Sequence, residues 1–194
     1  MAIKRKTTVK KMVVIWLSLL AIIGVAFALL LITEKGDAKE PVSFTTYDSL
    51  YTLTVPYGYR DARGNLAEGA ILELEDTQAD KKLLIMPCPP DYFETTAEFA
   101  DYIEDFYLDE LYGSVGYEIL SKNTTVILGS EAVVFELSLK YDPKVICRLY
   151  IADGNTQFLE IQVWTLAENA ESLKIETEEI IKTLTEVPDQ GTLY

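Results

Sequence analysis

Histidine is absent from the 194-residue chain, and cysteine occurs twice. Without histidine, Ser-His-Asp and Cys-His catalysis, imidazole metal ligands and a histidine pH switch near neutrality are all excluded. An enzyme built on this sequence would have to use carboxylates, tyrosine, lysine or cysteine. Cys88 and Cys147 are too few for a structural zinc site. In an oxidising compartment an even pair forms one disulfide; otherwise the two remain as small apolar side chains. A bridge needs Cα atoms within about 7 Å, and the sequence leaves both outcomes open. Basic residues are scarce too: 17 Lys and Arg stand against 31 Asp and Glu, a net charge of −14. Lys4, Arg5, Lys6, Lys10 and Lys11 are five of those cations, so beyond residue 11 twelve cations face thirty-one acids, a net −19. That balance disfavours nucleic acid and anionic lipid as partners.

Charge of either sign is missing from one long stretch. Met12–Thr33 reads MVVIWLSLLAIIGVAFALLLIT, and Glu34 ends it. At about 1.5 Å per residue such a helix crosses a hydrocarbon core about 30 Å thick. A cleaved signal has an apolar region of only about 7–15 residues and a small-x-small exit, whereas this run leaves through Leu29-Leu30-Leu31-Ile32. The expectation is an uncleaved signal-anchor helix over 12–33. Its preceding cations keep residues 1–11 cytoplasmic as a basic tail, and the remainder is extracytoplasmic. Eleven residues are too few to fold as an inward effector. Residues 34–45 read as a polar stalk, 46–187 as one domain and 188–194 as a tail.

Within the domain, Leu50–Val55, Ile71–Glu75 and Leu83–Cys88 read as strands, with Leu72 and Leu74 inward and Glu73 and Glu75 outward. The run Leu83–Cys88 is apolar on both faces, as in a central strand. Thr95-Thr96-Ala97-Glu98 fits a capping box for a helix to Leu111, whose stripe is Phe99, Tyr102, Ile103, Phe106, Tyr107 and Leu111. Short strands at Tyr117–Ser121 and Thr124–Leu128 precede longer ones over Glu131–Lys140, Val145–Ala152 and Thr156–Thr165. Asp153-Gly154-Asn155 is a hairpin turn. A second amphipathic helix spans Ala167–Glu186. Segregated hairpins with two helices make an α+β class: an N-terminal transmembrane helix, then an antiparallel β-sheet packed with two α-helices.

Leu53-Thr54-Val55-Pro56-Tyr57-Gly58-Tyr59 and Val126-Ile127-Leu128-Gly129-Ser130-Glu131-Ala132, in this element order, resemble the PsbP-like superfamily over about Thr46–Val187. The resemblance implies a PsbP-like α/β sandwich and a non-catalytic binding module; the residues themselves offer no cofactor site. It does not carry a photosynthetic role, because the metal-site histidines of the superfamily's extrinsic photosystem II member have no counterpart in this chain.

The chemistry-bearing candidates are few. Acids at Glu73, Glu75, Asp76 and Asp80, and at Asp101, Glu104, Asp105, Asp109 and Glu110, fall where solvated faces belong, and no EF-hand or RTX loop is present. A weak Ca²⁺ site at Asp76–Asp80 is the one metal reading they allow. Exposed tyrosine near loops suits a protein interface, and Arg60 and Arg63 stand out among so many acids. The candidate interaction surface is therefore Tyr57, Tyr59, Arg60, Arg63 and Tyr92. The expected function is non-enzymatic binding of another envelope protein. The alternatives are a small-ligand or cell-wall-binding domain with a groove along the Thr95–Leu111 helix, and behind it a carboxylate hydrolase.

Overall fold

A computed structural model of the protein describes residues 40–188. The basic tail 1–11, the anchor 12–33, the first part of the stalk and the end of the C-terminal tail lie outside the described residues. Among the described residues no helix is long and apolar enough to cross a membrane.

Among the described residues ten strands form two antiparallel sheets. A small sheet has the order β1-β2-β10 (Val42–Thr45, Tyr51–Val55, Thr185–Glu186). The large one has the order β3-β4-β5-β9-β8-β7-β6, built from Arg60–Asp61, Leu72–Asp76, Lys81–Cys88, Phe158–Leu166, Val145–Asp153, Ser130–Leu139 and Tyr117–Ile127. Strand β5 lies inside this sheet, next to β9. Its Leu83 and Ile85 enter one core, and Leu84, on the opposite face, is buried as well. This matches its two-faced apolar pattern.

Each face of the large sheet has its own core. On one side β2 and the helix α3 (Ala170–Lys182) bring Tyr51, Leu53, Leu173 and Ile180 against Leu159, Ile161 and Val163 of β9. On the other side lies a helical segment: α1 (Thr96–Tyr102), a π-helical turn (Ile103–Tyr107) and α2 (Leu108–Tyr112). It packs Phe99, Ala100, Ile103 and Leu108 on Phe135, Leu149 and Phe158. Half of the expected capping box is present: Glu98 N donates to Thr95 Oγ1 at 3.1 Å, whereas the Glu98 carboxylate reaches past the cap and accepts from Glu94 N at 2.8 Å.

Several elements differ from the sequence reading. Val42–Thr45 is strand β1, not stalk, because Ser43 and Phe44 find register partners in Thr54 and Leu53. The two short strands expected over 117–128 are one strand, with a register shift between Ile119 and Ser121. The turn into β7 has Leu128 (φ 53°) and Gly129 (φ 84°) both left-handed, the geometry a two-residue hairpin requires. Helix α3 ends at Lys182 and not Glu186. The Thr183 hydroxyl accepts from Thr54 N at 2.9 Å and has Ile180 O at 2.7 Å and Thr54 O at 2.9 Å as acceptors for its proton, handing the chain to β2.

The π turn adds a residue to the helical ladder and re-phases the expected stripe. Ile103 and Leu108 are buried, whereas Tyr102 and Phe106 are exposed. Glu73, expected outward, is 1 % exposed. Loop 62–70 folds over it, and its carboxylate accepts from Ala67 N (2.9 Å), Asn65 N (3.0 Å) and Leu66 N (3.3 Å). Burial raises its pKa, but these backbone donors, Ala67 foremost, outweigh that and hold it below the usual carboxylate range.

Cys88 and Cys147 are both free thiols. Cys88 is paired with Phe158 of β9, and Cys147 with Trp164 of the same strand. Six residues along a strand are about 20 Å, and β9 runs between the two. The register therefore rules out a disulfide within one chain, which needs Cα atoms within about 7 Å.

Candidate functional site: an aromatic hollow over a buried carboxylate

A hollow lies between the helical segment and the sheet at the Cys88 end of β5. The volume is about 380 Å³, inside the range of small-ligand and side-chain pockets. Met86 and Cys88 of β5 and Glu160 of β9 form its floor. Phe93, Phe99, Tyr102 and Tyr107 line its walls, with Tyr92 at the lip, 71 % exposed. The rings form a chain of contacts. Phe93 stacks on Phe99 at 4.6 Å, Phe93 meets Tyr102 at 5.3 Å, and Tyr102 meets Tyr107 at 6.3 Å. Phe158 supports them from the sheet, 5.9 Å from Phe99. The π turn is what lets Tyr102 and Tyr107 both face this end of the segment, a use of π-helical geometry frequent at functional sites.

Glu160 is 4 % exposed. Its Oε1 accepts from Gln162 Nε2 at 2.5 Å, and Gln162 Oε1 accepts in turn from the Tyr112 hydroxyl at 2.7 Å. Burial pushes the Glu160 carboxyl up to about 7, with the Gln162 amide opposing. Burial, and then the Glu160 carboxylate, raise the thiols of Cys88 and Cys147, the latter to about 12. The same two causes raise Tyr107 to about 12. Tyr112 is raised by burial first, then by Cys147 and Glu160.

The expected interaction residues are not one patch. Tyr92 belongs to the hollow. Tyr59 is buried, and its hydroxyl donates to Glu176 of α3 at 3.1 Å. Its expected role as an exposed contact is corrected: it links the segment entering β3 to α3. Tyr57 and Arg60 are exposed at β3. Arg63 is exposed and covers the Tyr47 ring at 3.4 Å. Asp76 turns inward on its own loop, accepting from Gln78 N at 3.0 Å and Ala79 N at 3.2 Å. Among the described residues no cluster of three or more Cys, Asp or Glu is arranged to hold a metal.

The sequence reading missed Glu160, Gln162 and Tyr112. The signal was Phe158, Glu160, Gln162 and Trp164 alternating with Leu159, Ile161 and Val163 in β9. It reads as a solvated face unless β9 is central. A second concavity of about 690 Å³ lies across the sheet, between α3 and β6–β8, where Arg148 and Tyr150 form part of the floor. Arg148 Nη1 meets Glu178 Oε1 at 3.3 Å, while Arg148 Nε and the Tyr150 hydroxyl are buried without partners.

No family model and no curated protein matches the chain. Solved structures do. The cyanobacterial PsbP (CyanoP) of Synechocystis is similar with a TM-score of 0.58 at 13 % identity, over 79 % of this chain and 95 % of that one. The Ran-binding protein Mog1p of Saccharomyces cerevisiae is similar with a TM-score of 0.54 at 13 % identity, over 75 % and 95 %. The chain thus shares the fold of these structures, a sheet-and-helix sandwich found in proteins of different names.

Proposed function

We propose that this PsbP-like domain is a non-enzymatic binding module that docks a partner protein through the aromatic hollow. The observation that carries the reading is the hollow itself: several rings, an exposed tyrosine at the lip and a buried polar floor at the open end of a rigid sheet. Aromatic anchoring pockets of this kind are where binding energy concentrates in protein interfaces. A structurally similar yeast protein is Ran-binding by name, which supports a binding role for the fold but not a partner for this chain.

The module is tethered, in this reading, by residues 12–33 to the cell membrane and faces outward, where an envelope protein is its partner. A photocrosslinking amino acid at Tyr92 should give discrete adducts in intact cells. The same probe at Ile175, exposed on α3 across the sheet, should not. Identical adduct patterns at both positions, or none at Tyr92, would remove the docking reading. Membrane fractionation with protease accessibility of the C-terminal domain tests the tether separately. Recovery of the intact chain in the soluble fraction sinks that part. The volume of the hollow also suits a small apolar ligand, and a released small molecule in place of protein adducts would favour that reading.

A further inference from the structure

We propose that the hollow selects a positively charged side chain, lysine or arginine, presented by the partner, with Glu160 as its counter-ion and the surrounding rings as its walls. This rests on the docking reading above and names the chemistry of that same site.

Among the described residues Glu160 is a charge without a counter-ion. Glu160 is almost wholly removed from water, and a carboxylate in such a place is costly unless a cation or several donors meet it. One donor does, the Gln162 amide. No cation does: the ion pairs of the described residues involve Lys81, Lys122, Arg148 and Lys182, and none of them reaches Glu160. The titratable groups around Glu160 come from every element packed on it. They are Cys88 of β5, Tyr107 and Tyr112 of the helical segment, and Cys147 of β8, and all are neutral at pH 7 with their ionisation pushed upward. The floor therefore holds one acidic group and nothing of opposite sign.

The walls point the same way. Ring faces attract a cation electrostatically, and best where water is excluded. Lysine and arginine carry apolar stems that pack on such faces while the charged head reaches a polar end. The fit between site and occupant is thus made twice, once by the carboxylate and once by Phe93, Phe99, Tyr102 and Tyr107. A neutral apolar side chain would fill the hollow but seal Glu160 deeper without a partner. An anionic one would be repelled by Glu160 and by the −14 net charge of the chain.

The test uses the full-length protein in detergent micelles and three small probes: butylguanidinium, butylammonium and the neutral isostere butylurea. Backbone amide shifts of Met86, Cys88, Phe99, Tyr102 and Glu160 report occupancy. Both cations should move these resonances with at least tenfold higher affinity than butylurea. Their affinity should rise from pH 5 to pH 8 as Glu160 ionises, while that of butylurea stays flat. Glu160→Gln should abolish the preference and its pH dependence. Tyr102→Leu, at an exposed ring that the fold does not need, should weaken the cations several-fold. If butylurea binds as tightly as butylguanidinium, or the Glu160→Gln variant keeps the preference, cation selection is overturned. In that case the docking reading stands as long as the Tyr92 crosslinks persist. Probes that leave the hollow unshifted, together with absent Tyr92 crosslinks, overturn both.

Discussion

Replacing Glu160 with glutamine should stabilise the protein at pH 8 and change it much less at pH 5. The wild-type carboxyl titrates near 7 when folded, pushed up by burial, against an ordinary value of 4.5. Between those values the folded chain binds the proton that the unfolded chain has released. Stability from this group is therefore full below about 4.5 and is lost as pH rises through 7. At about 1.36 kcal/mol per pH unit, the gap from 4.5 to about 7 amounts to about 3 kcal/mol. Roughly 1 kcal/mol of that is already gone by pH 5, so between pH 5 and pH 8 the wild type loses about 2 kcal/mol from this source. The glutamine variant loses none of it, retains the shape and still presents a carbonyl to the Gln162 amide. Urea unfolding of both proteins at the two pH values, followed by circular dichroism, measures the difference, and every other titrating group cancels in the comparison. A wild-type-to-variant gap of equal size at both pH values would show that the carboxylate is compensated in the folded protein. That result would also remove the premise of cation selection.

Four further outcomes can be checked on the same material. Glu73→Gln should cost about 2 kcal/mol at pH 7, because three loop N–H donors lose their anionic acceptor. Its depressed pKa contributes stability above the usual carboxylate range that is lost as pH falls through the folded value. The variant's deficit should therefore shrink in acid, and a pH-independent deficit would contradict the cage. Gly154→Ala should destabilise by about 1–3 kcal/mol in thermal melts, since a Cβ there would run into the Tyr51 hydroxyl and lie 2.8 Å from Gln157 O. Tyr150→Phe should leave stability unchanged or raise it by about 1 kcal/mol, as it removes a buried hydroxyl without a partner; a loss above about 2 kcal/mol would refute that. A maleimide should label Cys88 slowly in the folded protein and Cys147 only after unfolding. Mass spectrometry under oxidising conditions should retain both thiols, and a stable intramolecular bridge would contradict the register.

Elements governed by one local rule were legible in the sequence. The helix cap at Thr95, the hairpin at Asp153–Asn155 and the two-faced apolar run of β5 each depend on neighbours a few residues away. The PsbP-like order of elements followed from these. What failed to show was set by distant partners. Val42–Thr45 is short and polar enough to pass for stalk, and only pairing with β2 makes it a strand. Thr183–Glu186 continues an amphipathic pattern, and it leaves the helix because Thr54 captures the Thr183 hydroxyl. Tyr59 looked like a surface aromatic because Glu176, its partner, is 117 residues away. Glu160 looked solvated because strand alternation reveals which residues share a face, not what covers that face.

The two faces of the large sheet are closed differently. One face of the large sheet is closed by a helix of thirteen residues and a second sheet. The other is closed by a segment broken in the middle by a π turn, and a hollow remains at the end of β5. An open end of that kind is filled either by more protein or by an occupant from outside. Rings without a charge would have served the first purpose at no electrostatic cost. The carboxylate at their base instead costs about 3 kcal/mol at neutral pH, a large share of the roughly 5–15 kcal/mol by which a domain is stable. A cationic side chain entering from a partner offsets that cost at the moment of binding, so the instability of the free domain becomes affinity for a partner of that charge.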